Sequence, residues 1–460
     1  MSLTVAEKSN EQDFDSISSL PDEILQVILS FIPTKFAIRT SVLSRRWRHV
    51  WCDTPSLSFV KGCCSDRDSI GKTLARYTAR KMIRFQLCAI DSEYFPDVYS
   101  WIEFAISRNV ENLWVEHYLS DIPDSFYTNS SVKQLYLKSS GYGNLDPECS
   151  VSWTSLKILT LHTCNLFNES FAKILSGSPN LETLRLYVCD ILYVLDLSNS
   201  PRLKTLEIES EHWLQRAKIV APHIHSLKLR FTISSFAYSL VDVSSLTEAE
   251  LDIDSGSLEH SNVYYIETIV LKMLEKLQNV EKLTFCGNFL KALTLADRHC
   301  YSFPKLKVKD LTLKTTISDY GTSDDVTSAI VRVLQHSPEL KKLTLRTMEC
   351  DPIIELFGLD PDKLSPEERV LLEDYYSREV ETKHVASFME LVLKTTKTVE
   401  KMVVRLGPYR YTRRFRNLRQ MVPMLSHDND VSIVLIATKR WIRVSRWSKP
   451  NIEYLTSNLM

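Results

Sequence analysis

The residues that could do chemistry in this chain are few, and their spacing does not favour catalysis. The tightest histidine group is His212, His223 and His225. His223 and His225 would share one face of a strand, because side chains alternate with a period of two. Two imidazoles could start a zinc site, but no cysteine pair completes the usual four-ligand set nearby. We read them as partly exposed strand-edge residues. His299 and Cys300 are adjacent. A base activates a nucleophile only when a third group orients it, and neighbours in a loop rarely meet that condition. The ten cysteines are Cys52, Cys63, Cys64, Cys88, Cys149, Cys164, Cys189, Cys286, Cys300 and Cys350, with no CxxC among them. Glycine is scarce, 10 residues in 460, which leaves little material for phosphate-cradling turns. GxSxG, HExxH, P-loop and GxGxxG patterns are all missing. These observations predict no catalytic residue, no metal site and no cofactor, so we expect a protein that works through its surfaces rather than an enzyme.

Length and charge narrow the classes further. At 460 residues the chain exceeds the ~250–300 residues at which a single core stops growing. Several domains or a repeat array are therefore expected. Lys+Arg total 56 against 57 Asp+Glu, for a net charge of −1. Dedicated nucleic-acid binders carry a large positive excess, so a nucleic-acid partner is disfavoured. No apolar run reaches the ~18–20 residues of a membrane helix, and no membrane partner is expected. Residues 1–15 are polar and acidic, read as a disordered tail without a secretory leader. The cysteines are then expected to be reduced thiols, in the nucleus or cytoplasm.

Residues 16–57 hold short helices. Pro21 suits a first helical turn, with Ser19 as a candidate N-cap. Ile24, Leu25, Ile28 and Leu29 recur at helical spacing and are read as one apolar stripe that Pro33 ends. A second helical stretch carries Ile38, Val42, Leu43, Trp47 and Trp51. So small a helical unit is marginal alone and gains stability by binding a partner. The stretch LPDEILQVILSFIPTKFAIRTSVLSRRWRHVW resembles an F-box, the helical hook that docks onto a Skp-type linker in cullin-based ubiquitin ligases. Its LSRRWRHVW half is similar to the form common in plants. The resemblance implies that Leu20, Pro21, Ile24, Ile28 and Leu29 line the linker-binding face. It also implies that Leu43, Trp47 and Trp51 complete the hook's core and lower contact surface.

The rest of the chain repeats. L-x-x-L-x-L, with conservative substitutions, begins at Met82, Val110, Val132, Leu156, Leu181, Leu203, Ile224, Leu246, Val280, Val308, Leu340 and Val399. Most intervals are 21 to 28 residues, and three are longer, at 34, 32 and 59. A period in the twenties with this core is the leucine-rich-repeat signature. Each match predicts a short strand facing a solenoid core. Apolar stripes upstream, and Ser-Pro links at 178–179, 200–201 and 337–338, predict that many repeats read helix, turn, strand. Cys164 and Cys189 occupy the repeat's Asn/Cys position and are read as turn packing. The repeats are placed at 75–350.

Residues 351–380 form an acidic, proline-containing insertion. Residues 381–460 are expected to form an α/β cap over the open end of the array. Its stretch VASFMELVLKTTKTVEKMVV resembles the C-terminal half of the FBD module that follows the repeats in many plant F-box proteins. From Arg405 onward there are eleven Lys/Arg against three Asp/Glu, interleaved with aromatics. We read that run as a solvated basic cap. The expected fold class is thus α/β: a small helical F-box, a solenoid of parallel strands and helices, and an α/β cap.

Residues flanking the buried pair of each repeat should line the concave side. They include Trp114 and Tyr136 early, Arg185, Tyr187, Lys228 and Arg230 with several glutamates midway, and Arg346 and Arg405 late. Exposed aromatics and arginines are frequent interface anchors, so these positions are the candidate substrate-binding residues. The resemblance implies a substrate-recruiting adaptor with a Skp-type linker, a cullin scaffold and a protein target as partners. A ligand-sensing receptor of the same architecture, a non-degradative repeat scaffold and an RNA-binding protein are the alternatives.

Overall fold

The structure is a computed structural model that describes residues 17, 19–60, 67–88, 97–117, 122–189, 194–210, 218–231, 239–253, 263–295, 303–315, 323–347, 382–406, 420–422, 431–437 and 454–455. The tail at 1–15, the insertion at 351–380, the basic runs 410–419 and 440–447, His212, His299 and Cys300 lie outside them. The chain divides into two compact units: Met1–Cys164 with Gly177–Asn180, and Asn165–Ser176 with Leu181–Met460.

The first unit opens with helix α1, Asp22–Leu29. Its N-cap is Pro21 rather than the expected Ser19. The Pro21 carbonyl accepts the amides of Ile24 and Leu25, each at 3.1 Å, and no side chain caps the end. Proline's fixed φ preorganises that turn, and Asp22 and Glu23 complement the helix dipole. Pro33 does not end α1. It starts α2, Thr34–Arg39, in the same way. The second helical stretch is broken into α2, α3 (Trp47–Val50) and 3₁₀ turns at Thr40–Val42 and Trp51–Asp53. The Thr40 hydroxyl donates back to the Ala37 carbonyl at 2.7 Å, a local bond that competes with helix continuation. The hook's core is Leu25, Leu29, Ala37, Trp47, Val50, Trp51 and Cys52.

Strand β1, Ser56–Phe59, follows directly. It is tied to the hook by the Ser58 amide, which donates to Thr34 Oγ1 at 2.7 Å. Then come α4 (Arg67–Arg76), β2 (Arg84–Cys88), α5 (Asp97–Ser107), β3 (Asn112–Glu116), α6 (Asp124–Tyr127), β4 (Gln134–Asn144) and β5 (Ile158–Asn165). The strands lie side by side in sequence order, and β1 to β4 pair in parallel. The repeat pattern did not reveal β1, because its anchor position is the buried polar residue Thr54. Burying Thr54 is tolerable because its hydroxyl donates to the Trp51 carbonyl at 3.0 Å and its own carbonyl accepts from Tyr77 Oη at 2.7 Å.

The second unit holds α7 (Asn168–Ser176), β6 (Thr183–Tyr187), β7 (Val194–Asp196), β8 (Thr205–Ser210), β9 (Lys218–Val220), β10 (Ser226–Phe231), β11 (Ser239–Asp242) and β12 (Glu248–Ile253). It continues with α8 (Val263–Lys276), β13 (Lys282–Cys286), α9 (Gly287–Leu295), β14 (Asp310–Thr315), α10 (Ser323–Gln335) and β15 (Lys342–Thr347). Last come α11 (Thr382–Thr395), β16 (Lys401–Leu406), β17 (Ser432–Ala437) and β18 (Tyr454–Leu455). Strands β6, β8, β10, β12, β13, β14, β15, β16 and β17 pair in parallel in that order, and β18 joins β17 antiparallel.

All twelve predicted anchors are 5% exposed or less, and so are the residues three and five positions after each. The repeat period is therefore the core of the molecule. Helix, turn, strand does not hold for the shortest repeats. An interval of 21–22 residues leaves too little chain for a strand, two turns and a helix. In the three such intervals from Leu181 to Leu246 the return path is a short strand, and β7, β9 and β11 pair into a second small sheet; the 22-residue interval before Val132 has room only for the four-residue α6. The longer intervals carry α8, α9, α10 and α11.

Cys164 and Cys189 are both buried; Cys189 lies just past β6, as expected, whereas Cys164 lies within the end of β5 rather than in a turn. Each thiol lies near the carbonyl two residues back, at 3.4 Å (His162) and 3.5 Å (Tyr187). The residue before each cysteine, Thr163 and Val188, has φ of 51°, so the same left-handed residue recurs at equivalent repeat positions. Gly177 marks a close approach. A Cβ there would press into the Val151 backbone carbonyl. Gly177→Ala is expected to lower stability by about 1–3 kcal/mol, measurable by urea denaturation. An unchanged midpoint would contradict this packing.

Candidate functional site

Helix α1 is apolar on two sides. Successive residues are rotated by about 100°, so Leu25 and Leu29 point into the core while Ile24, Val27 and Ile28 are exposed. The single stripe expected from the sequence is thus two stripes, and Leu29 lies in the core. Trp47 and Trp51 are also core residues. Leu20 is half-buried against that core, and Pro21 and Leu43 are exposed. The outer stripe continues into residues that sequence reasoning missed: Phe31 at 78% exposed, Val42 at 87%, Ile32 and Phe36. Leu43, at 65%, lies among them in sequence. For Phe31 the signal was the i, i+3, i+4, i+7 spacing of Ile24, Val27, Ile28 and Phe31. Apolar side chains exposed on a two-sided helix of a small unit call for a partner. Arg46 fixes the geometry of the hook. Its guanidinium bonds the Asp22 carboxylate, Nε to Oδ1 at 2.8 Å, and the Leu20 carbonyl.

The second surface is the open face of the repeat strands, the positions between the buried ones. In the first unit, Trp114 on β3 and Tyr136 on β4 are in register. Their rings stack at 3.8 Å between centroids and 19° between planes. Trp114 Nε1 donates to Glu116 Oε1 at 2.9 Å, which holds the indole in place. Burial pushes the Tyr136 phenol up to about 12, so it stays protonated at neutral pH.

In the second unit the middle strands carry a ladder of alternating charge. Arg185, Glu207, Lys228 and Glu250 occupy one register row. Tyr187, Glu209, Arg230 and Asp252 occupy the next. Arg185 meets Glu207 at 3.1 Å, Arg230 meets Glu209 at 3.4 Å and Asp252 at 3.7 Å, and Lys228 meets Glu250 at 3.7 Å. Tyr187 Oη donates to Glu207 Oε2 at 2.9 Å. Burial, then this bond to a carboxylate, raises its phenol to about 12. The register brings these charges together as cross-strand pairs. Further along, Arg346 on β15 is exposed and Arg405 on β16 is half-buried, side by side in register.

His223 Nε2 lies 3.2 Å from the Ser198 carbonyl. Among the described residues no group of three His, Cys, Asp or Glu could hold a metal, and none of their helices is long and apolar enough to cross a membrane. Burial pushes the Cys286 thiol to about 12 and the Cys88 thiol to about 11. Thiolates react and thiols do not. Both residues should therefore resist iodoacetamide at pH 8 in the folded protein and label after urea unfolding, read by mass spectrometry. Rapid labelling of the native chain would contradict their burial.

Comparison with known proteins agrees with this arrangement. The F-box domain family model matches residues 17–59. The model described as At1g61320/AtMIF1, LRR domain, matches residues 77–365. F-box/LRR-repeat protein At3g03360 of Arabidopsis thaliana is 49% identical over 456 residues, covering 94% of this chain and 92% of that protein. The chain belongs to the F-box/LRR-repeat family. F-box/LRR-repeat protein At5g02910 of the same plant is 46% identical over 442 residues, covering 92% and 94% of the two chains. The putative F-box/LRR-repeat protein At3g18150 is 47% identical over 442 residues, covering 92% and 93%. As an F-box/LRR-repeat protein the chain is of the adaptor type. Its F-box implies a Skp-type partner, and its repeats imply protein binding.

Proposed function

We propose that this protein is the substrate-recruiting subunit of a Skp–cullin–F-box ubiquitin ligase. The observation that carries the reading is the exposed apolar surface of an F-box whose own core is already complete without it. Ile24, Val27, Ile28, Phe31 and Leu43 gain a dry environment only against a second protein. Each such side chain contributes ~1.5–3 kcal/mol when buried, enough in sum for a stable complex. Pro21 and the half-buried Leu20 border that contact, while Leu29, Trp47 and Trp51 shape it from behind. A target would then be held by strand-face residues, either Trp114 and Tyr136 of the first unit or the charged rows of the second. The chemistry belongs to the partner subunits. This chain supplies proximity, which raises the effective concentration of target lysines near the activated ubiquitin. Such a ligase would work in the nucleus or cytoplasm. The test is size-exclusion chromatography of the full chain with purified Skp-type linker and cullin. Co-elution of all three, and none of this chain with cullin when the linker is left out, is expected. Failure to join the cullin in the presence of linker overturns the ligase role.

A further inference from the structure

The aromatic pair on the open face of the first unit has one side uncovered. Trp114 and Tyr136 are in register on neighbouring strands, and their ring centroids are 3.8 Å apart. Near-parallel rings stacked from strand to strand stand on edge over the sheet. Tyr136 therefore covers one face of the indole, and the other face looks across β2. The register partner on that side is Gln86. Its amide is tied down away from Trp114. Gln86 Oε1 accepts from Ser58 Oγ on β1 at 3.0 Å, and Nε2 donates to Cys88 Sγ at 3.2 Å. Trp114 remains 37% exposed although Tyr136 covers one face. Arg84, two residues before Gln86 on β2, is exposed. Its register neighbours Ser56 and Asn112 are uncharged. The Arg84 guanidinium has no ion-pair or hydrogen-bond partner among the described residues. At the other end of the indole, Glu116 already accepts from Nε1 and stands in register beside Lys138. The opposite charges there offset each other.

We propose that this slot over β2 binds an extended segment of the target protein that carries an aromatic residue and, two residues away, an acidic one. The aromatic ring stacks on the uncovered face of Trp114, and the carboxylate pairs with Arg84. The proposal rests on the adaptor reading and names the chemistry of the target. Adjacent strands are ~4.8 Å apart, and offset-stacked rings have centroids ~4.5 Å or more apart. A ring lying over β2 is thus at stacking distance from the indole. Arg84 and Gln86 are ~6.6 Å apart along β2, and an extended peptide returns to the same face over the same ~6.6 Å. Arginine can take the carboxylate bidentately. The indole is already fixed by Tyr136 and Glu116, so little ordering is left for binding to impose. A basic segment fits less well, because Arg84 repels it and Glu116 is engaged by the indole.

The test uses the full chain bound to its Skp-type linker, passed over immobilised biotinylated peptides and read by surface plasmon resonance. The probe is a Gly/Ser peptide with Phe-Ser-Asp at its centre. Comparators carry Ala-Ser-Asp, Phe-Ser-Asn or Phe-Ser-Arg instead. Loss of the ring should weaken binding about tenfold, and loss of the carboxylate charge about fivefold. Trp114→Ala should weaken the probe about tenfold. Arg84→Glu should reverse the charge preference, so that Phe-Ser-Arg binds it tighter than the probe does. Lys291→Glu, on exposed α9 of the other unit, should leave the probe within about twofold. Equal binding of the probe and Ala-Ser-Asp, or an unchanged preference in Arg84→Glu, overturns the proposal. So does tighter binding of Phe-Ser-Arg to the parent, which assigns the slot to a guanidinium. Dimerisation of the parent that Trp114→Ala abolishes also overturns it and assigns the face to a second copy. Because the linker stays bound throughout, such failures are distinct from failure of the F-box reading.

Discussion

The double variant Phe31→Asp/Leu43→Asp should lose affinity for a Skp-type linker by about a thousandfold or more while unfolding at the parent temperature. Both side chains are exposed, at 78% and 65%. Each contributes ~1.5–3 kcal/mol if a partner buries it. A carboxylate placed against an apolar partner adds a desolvation cost on top of that loss. Together the two changes exceed the ~4 kcal/mol that a thousandfold represents. Neither residue is part of the hook's core, so stability should shift by no more than ~0.5 kcal/mol. Trp51→Ala provides the contrast. Trp51 is buried among Leu25, Leu29 and Val50, and its removal should cost ~3–5 kcal/mol. That variant loses linker binding because the hook loosens, and its melting transition shows it. Binding by the double aspartate variant within about threefold of the parent would place the linker contact elsewhere.

Leu184→Ala and Leu343→Ala should each destabilise the repeats by ~2–5 kcal/mol. Both side chains are wholly buried, one on β6 and one on β15. The loss is a large part of the ~5–15 kcal/mol that stabilises a typical domain. Each repeat rests on its neighbours, so hydrogen exchange should quicken in adjacent strands as well as in the mutated one. Glu207→Gln breaks the Arg185 ion pair on the open face, yet partly exposed pairs contribute ~1 kcal/mol or less. Urea denaturation should therefore separate the leucine variants clearly from Glu207→Gln. Similar midpoints for all three would contradict a core built on the repeat period.

The repeat core was legible because two periods coincide. Strand alternation places residues three and five after each anchor on one side, and the anchor spacing repeats that side along the chain. Strand β1 escaped because Thr54 stands where an apolar anchor is expected. The small sheet of β7, β9 and β11 escaped because strands of three or four residues carry almost no periodic signal. At the F-box the residue types were readable but their directions were not. Ile24 and Leu25 are both apolar neighbours on one helix, and only the packed core shows which of them faces outward. The charge ladder was half legible. Arg185, Glu207, Lys228 and Glu250 recur at equivalent repeat positions, but their pairing needs the strand register.

The most direct test of the account is isothermal titration of a Skp-type linker into the intact chain, alongside a chain beginning at Ser56. The account predicts saturable one-to-one binding to the intact chain and no heat of binding to the shortened one. Absence of binding to the intact chain, or equal binding to both, would contradict the adaptor function at its root.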